Sequence, residues 1–261
     1  MTSPAAQVYR KGRNRFAFGV FTAGREQVSD AEVAIYAAAG PDGEAMGPFP
    51  ARIESLETDP EFAARTTAAD PDATEVIYST ELDLNREGEW RLVAVIRDGD
   101  QLWAQRMPSI AVAEHHRIPA PGDSVPAIHT PTTDDVADIG AIDTRDPHDT
   151  MHEVDFADVV GEKPVVLLFA TPALCQSRVC GPVVDVAEQV KSEYGDEVAF
   201  IHMEIYRDND PNAGLRHQVK AFGLPTEPWA FVIDRHGEVS AAIEGGFGVS
   251  ELERAVNKVA P

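Results

Sequence analysis

The two cysteines of this 261-residue chain, Cys175 and Cys180, lie in the stretch FATPALCQSRVCGP (169–182). Two thiols at this spacing can cycle between dithiol and disulfide, form a permanent staple, or contribute to a metal site. On one α-helix they would sit about 140° apart with Cα atoms about 8.7 Å from each other, given a rise of ~1.5 Å and a radius of ~2.3 Å. A disulfide needs Cα atoms within roughly 7 Å. A bond therefore requires Cys175 to lie in a loop ahead of the helix. Pro172 follows the apolar run, and a helix is expected to open near Gly181-Pro182. Both sulfurs then stand at the carboxyl end of a strand and the amino end of a helix. Ligand sites of open α/β sheets collect there, and helix N–H groups favour a thiolate. A disulfide across so short a loop gains little chain entropy, which favours a redox pair over a staple.

Other chemistry-bearing residues have weaker settings. His148 and His152, in HDTMH, have the i, i+4 spacing that binds Zn²⁺ on a helix. Their polar, acidic surroundings instead suggest a solvated loop, and no metal site is expected. His115 and His116 are expected to be solvated, and His202 and Met203 to be packing residues of a strand. The turn GGFG (245–248) lacks the Lys and Ser/Thr of a phosphate loop. No G-x-S-x-G occurs, so serine hydrolysis has no support. No cofactor is expected.

The elements that must position the cysteines form an alternating pattern. KPVVLLFA (163–170) is a continuous apolar run, as in a strand buried on both faces. PVVDVAEQVKSEYG (182–195) reads as a helix from an initial Pro to a terminal Gly. EVAFIHMEIY (197–206) is a strand, NAGLRHQVKAFG (212–223) a helix, PWAFVID (228–234) and EVSAAIEG (238–245) a hairpin, and VSELERAVNKVA (249–260) a helix. The order β-α-β-α-β-β-α requires a parallel pair with a crossover. Ahead of it, NRFAFGVF (14–21), AEVAIYAA (31–38), TEVIYSTELDL (74–84), EWRLVAVIRDG (89–99) and QLWAQRMPSIAV (101–112) are strand-like runs, as in a small β-sandwich. The excursion 40–73 is too polar and broken for one strand, and the proline-bearing stretch 114–136 reads as a linker or an edge segment.

Hydrophobic residues make up 43% of the chain, enough for a core that does not depend on the cysteines. The net charge is −22, with 12 basic against 19 acidic residues up to position 118 and 10 against 25 beyond it. Such a surface repels nucleic acid and anionic lipid. No apolar run reaches the ~18 residues of a transmembrane segment, and residues 1–16 have no signal-like apolar core.

The strand-FAT-Cys-loop-CGP-helix pattern, followed by β-α-β-β-α, is similar to the thioredoxin superfamily. PGDSVPAIHTPT (121–132) resembles the G-D-x-x-P opening of its peroxiredoxin-like and cytochrome-maturation branches. EPWAFVIDRHGEV (227–239) resembles their x-P-T-T-F-L-I-D-x-x-G-x-I segment, and the likeness covers about 119–261. It implies a cis peptide before Pro228, with Pro225 the competing position. It also implies substrate contact at Pro228 and Trp229, and thiol-disulfide exchange with a protein disulfide or thiol. The chain departs from C-x-x-C by its C-x-x-x-x-C spacing and by Leu174 where a Trp is usual. Strand distance makes Cys175 the attacking residue. The CGP string makes it Cys180, with Val183 in place of the second cysteine. The copper-chaperone branch carries a His beside the third strand, and none matches here. A peroxiredoxin-like peroxidase calls for T-x-x-C, but Thr171 lies four residues before Cys175 and no Arg falls within 228–234.

GRNRFAFGVFTAGREQVSDAEVAIY (12–36) resembles the YtkA-like immunoglobulin-fold domains of extracytoplasmic proteins. Together the two likenesses imply an immunoglobulin-like all-β sandwich over 8–113, a Pro-rich linker over 114–125 and an α/β thioredoxin fold over 126–261. They also imply a secreted or membrane-anchored setting. A native start at Met1 would instead imply the cytoplasm, and a trimmed signal would leave room for a lipid anchor. The expected activity is thiol-disulfide exchange. The alternatives are a thioredoxin-fold binding protein with a structural disulfide, or the peroxidase.

Overall fold

In the computed structural model, residues 1–69, 73–115, 117–175 and 178–261 are described. They divide into two compact units, one of residues 1–55 and 75–116, the other of residues 56–74 and 117–261.

The first unit contains β1 (Thr2–Pro4), β2 (Gly12–Val20), β3 (Glu32–Ala39), β4 (Ala45–Pro50), β5 (Arg52–Ser55), β6 (Val76–Leu84), β7 (Gly88–Asp98), β8 (Gln101–Arg106) and β9 (Ile110–Val112). They form two antiparallel sheets, β1-β2-β6-β5 and β4-β3-β7-β8, with β9 also on β7. Period-2 alternation turns Val33, Ile35, Ala37 and Ala39 of β3, and Trp90, Leu92, Ala94 and Ile96 of β7, into a common core. Phe16, Phe18 and Tyr78 fill it from the other sheet. The expected strand 101–112 is two: β8 pairs with one end of β7 and β9 with the other, separated by a stretch containing Pro108, which lacks a ladder N–H.

The second unit contains α1 (Arg65–Ala69), α2 (Phe156–Val159), β10 (Val165–Phe169), α3 (Cys180–Tyr194), β11 (Ala199–Met203), α4 (His217–Ala221), β12 (Trp229–Ile233), β13 (Val239–Glu244) and α5 (Val249–Val256). Its sheet runs β11-β10-β12-β13. β10 pairs parallel with β11 and antiparallel with β12, and β12–β13 is an antiparallel pair. All five residues of β10, β11 and β12 are buried, which is why these runs are apolar throughout except at His202 of β11. The expected helix 212–223 shrinks to α4. Pro211 opens a 3₁₀ turn, and Gly214, at φ 81°, breaks the continuation.

One expected boundary changes. Residues 56–74, expected within the β domain, belong to the second unit. Buried Asp185 of α3 explains this: it accepts the N–H of Ala64 and pairs with Arg145 at 2.8 Å, while Arg145 also donates to the carbonyl of Phe62. The close approach also accounts for Gly181, where a Cβ would lie 2.8 Å from Thr67 Oγ1. Of the two readings of 114–136, linker or edge segment, the second describes the stretch that meets β13. Gly122 N–H donates to Val239, Val125 N–H to Gly237, and Ser124 bridges Glu238. His116 lies outside the described residues, and His115 is half-buried with its carbonyl accepting from Arg10.

Candidate functional site

β10 delivers the chain to a loop at its carboxyl end, and α3 leaves from that loop. Cys175 lies in the loop, half-buried. Cys180 is the first residue of α3 and 0% exposed. The two are disulfide-bonded, with Cα atoms 5.9 Å apart. The helix starts two residues earlier than Pro182 suggested. Pro182 is tolerated because the first-turn N–H groups have no intrahelical partner in any case. Arg178, at φ 57°, is left-handed two residues ahead of the helix.

The opposite wall is the segment before β12. The Glu227–Pro228 peptide is cis. Glu227 is half-buried, and its Oε2 lies 3.9 Å from Cys180 Sγ. A disulfide sulfur has no proton, so only a protonated Glu227 can donate across this contact. Its Oε1 accepts from the Tyr206 hydroxyl at 3.4 Å. Burial pushes the Glu227 carboxyl up to about 7; the Tyr206 hydrogen bond works against this and nearby Glu204 adds to it. Burial likewise raises the Tyr206 hydroxyl.

Glu204, wholly buried just after β11, is held by Thr144. The backbone N–H and hydroxyl of Thr144 both donate to Oε1 at 2.7 Å, and the Ala173 N–H donates to Thr144 Oγ1 at 3.1 Å. The cysteine loop is thus tied to the same carboxylate that raises Glu227. Thr226 Oγ1 donates to Glu244 at 2.6 Å and accepts the Trp229 indole N–H at 3.0 Å, which fixes the turn leading into Pro228.

Cys175, Cys180 and the Glu227–Pro228 peptide are therefore assembled around one bond. The substrate contact expected of Pro228 and Trp229 is not offered as open surface, because both residues are buried. The Trp229 ring stacks on Phe231 at 5.7 Å, so its size serves the core. Pro225, the competing position, is exposed and lacks the cis peptide. Glu227, Glu204 and Tyr206 escaped the sequence reading. Only Glu227 left a trace there, as the residue before the superfamily-like proline.

The HDTMH stretch departs from the solvated loop expected of it. His148 is exposed, but His152 is buried at 2% exposure. Backbone N–H groups donating to buried Asp143 and Asp149 fold residues 143–152 inward. Strand residues His202 and Met203 are buried, as a packing role requires.

No protein-family model matches the sequence, and no curated protein matches it. Similar solved structures include the following three. A putative thiol:disulfide interchange protein DsbE from Chlorobium tepidum is 17% identical, with a TM-score of 0.40 over 54% of this chain and 98% of its own. A thioredoxin family thiol:disulfide interchange protein from Chlorobium tepidum TLS is 20% identical, with a TM-score of 0.36 over 56% and 99%. The thioredoxin-like superfamily protein SPOA0173 is 17% identical, with a TM-score of 0.33 over 42% and 89%. Among the described residues, no helix is long and apolar enough to cross a membrane.

Proposed function

We propose that this chain is a thiol-disulfide oxidoreductase in which Cys175 exchanges with a partner and Cys180 resolves the mixed species. The carrying observation is the Glu227 carboxyl, raised to about 7, at 3.9 Å from the buried Cys180 sulfur. A proton donor and acceptor poised near neutral pH at one sulfur is what exchange calls for and a staple does not.

A partner thiolate attacks Cys175 Sγ, the Cys175–Cys180 bond breaks, and its electron pair leaves on Cys180. The amino end of α3 stabilises that thiolate, and protonated Glu227 supplies its proton. A second partner thiolate attacks the partner sulfur of the mixed disulfide and releases Cys175 as thiolate. Two partner thiols become a disulfide, and the chain gains two electrons. In reverse, Glu227 accepts the Cys180 proton as that sulfur attacks Cys175.

The same reading takes the second unit as a thioredoxin-type domain, on the support of its β-α-β-α-β-β-α order. It takes the first as immunoglobulin-like, on the support of its two antiparallel sheets. The boundaries proposed from sequence are 8–113, 114–125 and 126–261, with 56–74 reassigned to the second domain. A protein thiol or disulfide in an extracytoplasmic setting is the proposed partner. The rival reading, a binding protein with a fixed disulfide, draws on the complete burial of Cys180.

Single-cysteine variants separate the two. Cys180→Ser should accumulate a mixed disulfide through Cys175 when mixed with an oxidised protein or glutathione disulfide, and Cys175→Ser should not. Capture by neither variant would favour the fixed disulfide, and capture through Cys180 alone would reverse the assignment of roles.

A further inference from the structure

A second cluster of chemistry-bearing side chains lies in the same unit and has no part in the exchange. Asp143, Asp149, His152 and His202 are all buried, and one ligand atom from each lies within 4.8 Å of the others. The two carboxylates are pre-set by their own loop. Asp143 Oδ1 and Oδ2 accept the N–H groups of Arg145 and Asp149, each at 2.8 Å, and Asp149 Oδ1 accepts that of Met151 at 2.9 Å. The N–H of His202 donates to the Met151 carbonyl at 3.0 Å, which joins the loop to β11.

The imidazoles are the informative part. Neither ring nitrogen of His152 makes a hydrogen bond among the described residues, although the side chain is 2% exposed. Its Nε2 points at the carboxylates, 3.4 Å from Asp149 Oδ1 and 4.0 Å from Asp143 Oδ2. A buried polar group left in this state costs stability and calls for a partner. His202 Nε2 lies 3.1 Å from the Ala170 carbonyl, which can only accept, so Nε2 carries hydrogen. Its Nδ1 faces Asp149 Oδ2 at 2.7 Å. A ring anchored by one N–H on a backbone carbonyl, with its other nitrogen turned to the cluster, is the usual posture of a metal-binding histidine. Ligands about 2.0–2.2 Å from a tetrahedral ion stand roughly 3.3–3.6 Å from one another. The 3.4 Å edge already fits and the 4.0 Å edge needs a few tenths of an ångström, while the 2.7 Å His202–Asp149 pair must open and the widest separations, up to 4.8 Å, must close as the ion enters.

We propose that Asp143, Asp149, His152 and His202 bind one divalent transition-metal ion, Zn²⁺ by donor set, in a closed structural site. Two imidazole nitrogens and two carboxylate oxygens suit such an ion, and complete burial leaves no open position for a substrate. The ion takes the place of the proton between His202 and Asp149, and it gives His152 Nε2 a direct bond in place of its long contact with Asp149 Oδ1. Its work is to brace the 143–152 loop against β11.

The test uses the full chain, chelator-stripped and oxidised so that neither sulfur can ligate, titrated with Co²⁺ and then Zn²⁺ without reductant. The expected result is one Co²⁺ per chain with the visible bands of a four-coordinate site, displacement by Zn²⁺, and a melting temperature that rises with Zn²⁺. His152→Phe fills the buried space without unpartnered nitrogens, and should fold while losing both the bands and the Zn²⁺ shift. Should that variant not fold, Asp149→Asn should weaken Co²⁺ binding by about 10–100-fold or more, the loss that removing even an outer-shell partner brings. Absence of one-equivalent binding in the native chain overturns the proposal, as does native-like binding in a folded variant. None of these readouts involves thiol exchange, so their failure leaves that reading standing.

Discussion

At the scale of single residues, exchange depends on which groups change protonation at the sulfurs. Glu227 has an ordinary value of 4.5 and is raised to about 7, mainly by burial. A carboxyl whose folded-state value is raised adds stability that is fully present below about pH 4.5 and lost as pH rises through about 7. Denaturation of the oxidised protein at pH 5 and pH 8 should therefore show the native chain losing stability relative to Glu227→Gln. Parallel behaviour of the two would contradict the assignment. In exchange assays, Glu227→Gln should also remove the inflection near pH 7 from the rate profile and slow the reaction by about 10²-fold or more, the usual contribution of a positioned acid or base. The disulfide was one of the readings the sequence allowed, because a helix opening near Pro182 leaves Cys175 in the loop ahead of it. Glu227 was not, because nothing local marks a half-buried carboxyl whose neighbours, Tyr206 and Glu204, come from another strand's end.

Among the elements, α3 carries both a sulfur and a buried ion pair. Arg145 and Asp185 meet at 2.8 Å with side chains 5% and 2% exposed. Removing one partner of such a pair leaves an uncompensated buried charge, so Arg145→Met should cost about 3–5 kcal/mol in denaturant unfolding. A change below about 1 kcal/mol, the range of a surface pair, would mean the pair does not brace α3. The α3, β10, β11, β12 and β13 assignments were readable from period and burial: three strands buried on both faces are apolar but for His202, and the helix shows its 3.6 period. What stayed hidden depended on distant partners. Residues 56–74 look like a loop of the β domain, but Asp185 and Arg145, far along the chain, hold them in the other unit. In the same way, HDTMH reads as solvated until two aspartates gather its backbone N–H groups.

For the whole molecule, the charge of −22 acts on any charged thiol that approaches the site. Disulfide reduction by an anionic thiol should accelerate as salt rises, and reduction by a cationic thiol should slow, over ionic strengths at which the screening length falls from about 30 Å to 10 Å. The same salt response for both thiols would show that the net field does not reach the sulfurs. The measurement that bears most directly on the central claim is the equilibrium redox titration of the Cys175–Cys180 bond in the folded chain. The potential expected of an exchanging pair is roughly −120 to −270 mV, with full reduction and no unfolding. A potential below about −300 mV, as in structural disulfides, would contradict it and leave the bond a staple.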